Sequence, residues 1–169
     1  RGQSAHSGST PMNYRKDALL GGSEIALAIE NAAVNEIANG TVATVGVFNV
    51  IQGAMNIVPG MVEMEVDIRG ISTQSKEKVI QALFDVISAT GKKRNLKIKI
   101  RQLSDESPVE LDQNMIYSLS KSCMEQGLSY IQMPSGAGHD AMNMAKLCPA
   151  ALIFIPSKNG LSHNFDEYS

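Results

Sequence analysis

Three histidines carry most of the acid–base and metal-binding potential of this chain. All three lie in loops rich in glycine and serine: His6 in Ser4-Ala-His-Ser-Gly-Ser-Thr-Pro11, His139 in Gly136-Ala-Gly-His-Asp140 and His163 in Gly160-Leu-Ser-His-Asn164. Taken singly, each reads as an exposed or capping histidine. Three of three in turn-rich loops is more suggestive, because loops held by a scaffold carry function disproportionately. His163 follows an apolar run, Ala151 to Ile155, that reads as a buried strand, and open α/β sheets bind ligands at the C-terminal ends of their strands. An imidazole on such a rigid exit suits metal ligation or proton transfer. One histidine is not a metal site, however. Zinc takes three or four ligands, and the chain offers no His–Glu pair at helical spacing and no Cys-x-x-Cys. If His163 binds a metal, the other ligands lie outside this chain.

Asn56 and Arg69 bracket a cleanly alternating segment. Asn56 reads either as a turn residue before Pro59-Gly60 or as a polar contact for a ligand. Arg69 reads either as a solvated charge paired with Asp67, worth at most ~1 kcal/mol, or as a bidentate carboxylate receptor. The Gly136-Ala-Gly138 turn could cradle an anion on its N–H groups. It lacks the Gly-Lys-Ser/Thr of a phosphate loop and the third glycine of a dinucleotide fingerprint, and no Gly-x-Ser-x-Gly elbow is present.

The elements that must position these residues follow from periodicity. Ile25, Ile29, Ala32, Ala33 and Ile37 predict a helix over about Asp17 to Ala38, stopped by Asn39-Gly40. Thr10-Pro11 opens a cap or a loop before it. Val79, Leu83, Val86, Ile87 and Thr90 predict a second helix from about Thr73, ended by Gly91. Strands are expected over Thr41 to Ile51, interrupted at Gly46, over Met61 to Arg69, and over Leu96 to Leu103. With a strand ending near Arg1 to Ser4, the order becomes β-α-β-β-α-β, a ferredoxin-like unit with helices on one face. After Ser107-Pro108, a helix over Asp112 to Gln126, the glycine-rich turn, a short helix to Leu147 and the apolar run complete the chain, with no self-sufficient core. Asn164 and Glu167 suggest a capping box for a terminal helix.

The chain has 169 residues, a net charge of −2 and 43% hydrophobic content, which fits one or two small soluble domains. No basic patch suggests nucleic acid, no apolar run is long enough to span a bilayer, and no charged-then-apolar leader opens the chain. Cys123 and Cys148 are too few for a disulfide scaffold, so a reducing compartment, the cytoplasm, is expected, with each cysteine in or near a core. The nine methionines suggest a Met-rich core. The chain begins without Met and ends where a helix is expected to start, which reads as a fragment cut at both ends.

Together the motifs resemble a family. Gly2-Gln-Ser-Ala-His-Ser-Gly-Ser-Thr-Pro-Met12, followed by Arg15-Lys-Asp-Ala18, resembles the lid-domain signature of the N-carbamoyl-L-amino-acid hydrolases and allantoate amidohydrolases, a branch of the dinuclear zinc peptidase superfamily. Thr44-Val-Gly46, Asn56-Ile-Val-Pro-Gly60 and Asp67-Ile-Arg69 match in order, as do Ser135-Gly-Ala-Gly-His-Asp-Ala141, Ile155-Pro-Ser157 and Gly160-Leu-Ser-His163. The resemblance implies an α/β (α+β) protein. Residues 1–108 would form most of a ferredoxin-like lid that also makes a homodimer, and 109–169 the last part of an α/β catalytic domain. It implies two divalent metal ions, zinc first with manganese or cobalt as alternatives, and one ligand here, His163. His6 would hydrogen-bond the scissile carbonyl and its oxyanion, typically from the other subunit. Asn56 and Arg69 would hold the substrate carboxylate, and Gly138 would contact substrate with His139 beside it. Phe165 stands where the family has proline.

The implied reaction is hydrolysis of the ureido or amide C–N bond of a small N-carbamoyl or N-acyl amino acid. A related zinc peptidase or aminoacylase is the alternative, as is a non-catalytic dimerisation module. On its own, the chain is expected to be inactive and to bind metal weakly.

Overall fold

Asp17 starts the first helix, its carboxylate accepting the Leu20 N–H at 3.0 Å, as short polar side chains do at helix N-termini. The computed structural model describes all residues from Arg1 to Ser169, which divide into two compact units, Arg1–Pro108 and Val109–Ser169. The architecture is mixed α and β.

In the first unit, α1 spans Ala18–Asn35 and α2 spans Thr73–Arg94. The strands are β1 (Ala5–His6), β2 (Thr41–Ile51), β3 (Ile57–Val58) and β4 (Met61–Gly70). β2 and β4 form an antiparallel ladder from Thr41↔Gly70 to Ile51↔Met61, with a bulge at Gly46. Along β4, Val62, Met64, Val66 and Ile68 are half-buried while Glu63, Glu65, Asp67 and Arg69 are exposed, the alternation that a one-sided sheet requires. α1 buries Ala18, Gly21, Gly22, Ile25, Ile29 and Ala33. Ile37 lies beyond the helix in a short 3₁₀ turn and is exposed, contrary to the sequence expectation, because the chain leaves α1 before that residue reaches the packed face. α2 runs through Gly91 and stops at Asn95, whose φ of 52° makes the left-handed cap.

Two polar clusters tie α1 to its surroundings. At one end, Glu24 accepts from Arg94 at 2.6 and 2.9 Å and from Lys93 at 2.9 Å. At the other, the buried Thr41 and Ser75 hydroxyls are 2.6 Å apart, and Ser75 donates to Glu36 at 2.9 Å. Lys76, buried along its stem, donates to Asp105 at 2.9 Å and to the Glu106 carbonyl at 2.7 Å.

The expected ferredoxin-like sheet is not closed. Two two-stranded sheets are present, β1–β3 and β2–β4, and residues 96–103 form no strand. Lys97 exchanges two backbone hydrogen bonds with Arg1, both 2.8 Å, and no ladder partner follows. Alternation gives a segment the pattern of a strand, but only a neighbour makes it one.

In the second unit, α3 (Gln113–Glu125) is capped by Asp112 and ends at Gly127, with φ of 70°. The short α4 spans Ala141–Met144. Residues 151–155 are no buried strand: Ile153, Phe154 and Ile155 are exposed, since this unit has no sheet to receive them. The terminal capping box does not form either. The Glu167 carboxylate accepts the His163 N–H at 2.8 Å, Asp166 N–H goes to Asn164 Oδ1, and residues 164–169 are not helical. None of the nine methionines is fully buried. The core is Ile25, Ile29, Val58 and Val79 with small alanines, so no Met-rich core exists. Cys123 is half-buried and Cys148 exposed, both free.

The Arg94 hydrogen bonds, then those of Lys93, hold the Glu24 carboxyl down from 4.5 to about 2. A depressed carboxylate stabilises the fold above its ordinary pKa and loses that contribution as pH falls toward the folded value. Glu24→Gln should therefore melt lower than the parent at neutral pH, with the gap closing between pH 4.5 and 2. A gap constant across that range would contradict the clamp. Gly22→Ala places a Cβ 2.9 Å from the Phe48 ring. Instead of the ~1 kcal/mol that alanine usually adds to a helix, denaturant melts should show a loss of about 1–3 kcal/mol from overpacking.

Candidate functional site

In the first unit the β1–β3 pairing brings two of the sequence-selected residues together. His6 pairs with Ile57 and Ala5 with Val58. The Ser7 N–H donates to the Asn56 carbonyl at 2.9 Å, so Asn56 adjoins His6 through the backbone, and both side chains are exposed. The approach depends on Gly60: a Cβ there would stand 2.6 Å from the Ser4 nitrogen, so any other residue would push β1 away. The Gly8 N–H donates to His6 Nδ1 at 3.1 Å. A nitrogen that accepts carries no proton, so the neutral ring holds its proton on Nε2 and presents it as a donor.

Arg69 is not part of this group. It faces Val42 near the far end of β4 and pairs with Asp67 at 2.7 Å, both exposed. The loop holding Asn56 enters β4 at Met61, and Arg69 stands on the order of 25 Å along the strand from there at about 3.3 Å per residue. The expected surface pairing with Asp67 is present, and the guanidinium is open to solvent.

In the second unit, Gly138 and His139 share one turn. Ser135 Oγ lies 2.8 Å from His139 Nε2 and accepts the Ala137 N–H at 3.1 Å. The His139 ring tilts against Phe154, centroids 5.4 Å apart. Around Gly138 there is open space, which leaves its backbone accessible. His163 is exposed, with φ of 55°, after a 3₁₀ turn rather than a strand, and no hydrogen bond joins its ring to another residue.

No group of three His, Cys, Asp or Glu side chains is placed to hold a metal ion. His163 stands alone as a donor, so the residues present do not fit a metal centre by themselves. Sequence reasoning missed Arg15, whose Nε donates to the Thr10 carbonyl at 3.0 Å and whose Nη2 donates to the Ser7 carbonyl. Its sequence signal was its place in Arg15-Lys-Asp-Ala18, the motif that follows the His6 loop, to which no role was given.

Comparison with known proteins places the chain. The profile of peptidase family M20/M25/M40 matches residues 9–169. An uncharacterized hydrolase of Haemophilus influenzae is 49% identical over 100% of this chain and 41% of its own length. An N-carbamoyl-L-amino-acid amidohydrolase of Pseudomonas sp. is 34% identical over 99% of the chain and 41% of its own, and an allantoate amidohydrolase of Escherichia coli is 34% identical over 96% and 39%. The crystal structure of an amidase of the hydantoinase/carbamoylase family from Burkholderia multivorans superposes with a TM-score of 0.93 at 32% identity, over 99% of this chain and 41% of that one. The chain thus spans about two-fifths of the length of the relatives it matches. These matches run along nearly all of its residues, and the chain belongs to peptidase family M20/M25/M40.

Proposed function

We propose that this chain is part of a metal-dependent amidohydrolase that cleaves the C–N bond of N-carbamoyl amino acids or allantoate-like ureido acids. The observation that carries the reading is His6, held by the β1–β3 pairing beside Asn56 with its Nε2–H free to donate. Hydrolysis of a ureido or amide carbonyl drives negative charge onto the oxygen, and a fixed neutral donor at that oxygen lowers the barrier. Losing one such donor costs ~10²–10³ in rate. Asn56 and Arg69 receive the substrate carboxylate. Arg69 suits this because its fork binds carboxylates bidentately, and the substrate would displace the exposed Asp67 from it. Gly138 offers its backbone to substrate, and His139 stands beside it, held by Ser135.

In this reading, residues 1–108 are the ferredoxin-like lid. Its support is the α1-β2-β4-α2 arrangement around the β2–β4 ladder and the Arg1–Lys97 hydrogen bonds, where further strands would join. Residues 109–169 are the last part of the catalytic domain. His163 would supply one of the ligands of a centre of two divalent ions, zinc first with manganese or cobalt as alternatives, and the other ligands would lie outside this chain. Two free cysteines fit a cytoplasmic setting.

Homodimerisation through the lid is supported by the placement of Arg69 at the far end of β4 from the His6–Asn56 pair. One small substrate can meet both if Arg69 and His6 come from different copies.

In the full-length enzyme, His6→Ala should lower kcat for an N-carbamoyl amino acid about 10²–10³-fold, and an unchanged kcat would overturn the reading. N-acyl amino acids turned over faster than N-carbamoyl ones would favour the aminoacylase alternative. Mixing inactive His6→Ala and Arg69→Ala proteins should restore roughly a quarter of the parent activity through hybrid dimers with one intact shared site. No recovery would place both residues in one copy's site. The 169-residue chain alone should bind zinc weakly and hydrolyse no ureido acid, measured by calorimetry and ammonia release. Turnover by the chain alone would show that the missing ligands are not needed.

A further inference from the structure

We propose that Arg15 is the positioning residue for His6, acting through the single peptide unit between Ser7 and Gly8. This rests on the oxyanion-donor role given to His6 above. The Ser7 carbonyl accepts from Arg15 Nη2, and the Gly8 N–H of the same peptide unit donates to His6 Nδ1 at 3.1 Å. A trans peptide is planar, with its C=O and N–H pointing in opposite directions. Fixing the carbonyl on the guanidinium therefore aims the N–H at the imidazole, and that N–H keeps the ring proton on Nε2.

The second arm of the fork, Arg15 Nε, holds the Thr10 carbonyl at 3.0 Å, while the Thr10 N–H returns to the His6 carbonyl at 3.1 Å. The loop from His6 to Thr10 is thus closed on itself and anchored to one side chain. Arg15 is half-buried and forms no ion pair. Its charge is spent on two main-chain oxygens. The geometry needs a planar fork with donors fixed relative to one another, which lysine's rotating ammonium lacks.

Without Arg15 the Ser7–Gly8 peptide is free to turn, the Nδ1 acceptor loses its donor, and the ring samples both tautomers. In the full-length enzyme, Arg15→Met should lower kcat about 10–100-fold, as misplacement of a reacting group does, with a much smaller change in KM. Arg15→Lys should recover only part of the loss. Long-range nitrogen–proton spectra of the His6 ring should change from one Nε2–H tautomer to a mixture. Adding Arg15→Met to His6→Ala should cost little more than His6→Ala alone, because Arg15 then has nothing left to position.

If the two losses multiply in full, or the tautomer stays single in Arg15→Met, Arg15 does not act through His6 and the proposal falls. If His6→Ala leaves kcat unchanged, the functional reading fails instead, while the ring spectra still report whether Arg15 controls the tautomer. Should Arg15→Met fail to fold, Arg15→Lys with the same spectra and the same double variant decides.

Discussion

Backbone hydrogen bonds between β1 and β3 join segments that α1 and β2 separate in sequence, and every claim about the first unit's chemistry depends on them. They set His6 opposite Ile57 and lay the Ser7 N–H on the Asn56 carbonyl. The pairing is short, two residues on each side, and short ladders are marginal in water unless something holds their ends. Here the holding is done at close range by Gly60, which lets the Ser4 backbone in, and by Arg15, which closes the loop beyond His6. A histidine in a loop of small residues becomes a directed donor because its loop has few ways left to move.

The same logic separates what was legible in the sequence from what was not. β4 was read residue by residue, since the alternation of Val62 to Ile68 with Glu63 to Arg69 reflects a sheet with one wet face. α1 and α3 follow from apolar spacing and the glycines beyond their ends, which are local signals, whereas their caps, Asp17 and Asp112, come from the structure. Residues 96–103 and 151–155 were misread for one reason: their patterns are those of strands, but a strand exists only against a neighbour, and periodicity says nothing about whether a neighbour is present. The methionines misled because apolar character was taken as burial. Gly22 brings α1 against Phe48 and Val62 of the sheet, and Gly21 brings it against Leu96 and Thr90, too close for long side chains to fill the gap.

The candidate site was legible as a set of residues and much less so as a geometry. The motifs selected His6, Asn56, Arg69, Gly138, His139 and His163. They put Asn56 and Arg69 at opposite ends of β4 but did not say that Asn56 adjoins His6, because that contact comes from the β1–β3 pairing of segments far apart in sequence. Nor did they single out Arg15, whose contacts are all to main-chain oxygens and so leave no trace in any pairing of charged residues.

The account stands most directly on the hydrogen bonds that hold His6. Amide hydrogen exchange of Ser7 and Gly8 in the intact protein reads two of them at once, because each N–H has one partner, the Asn56 carbonyl and the His6 ring. Both amides should be protected well beyond the neighbouring exposed Ser9. Exchange of Ser7 and Gly8 at the rate of a free loop would mean that β1 does not hold the histidine in place, and the directed donor at the centre of this account would not exist.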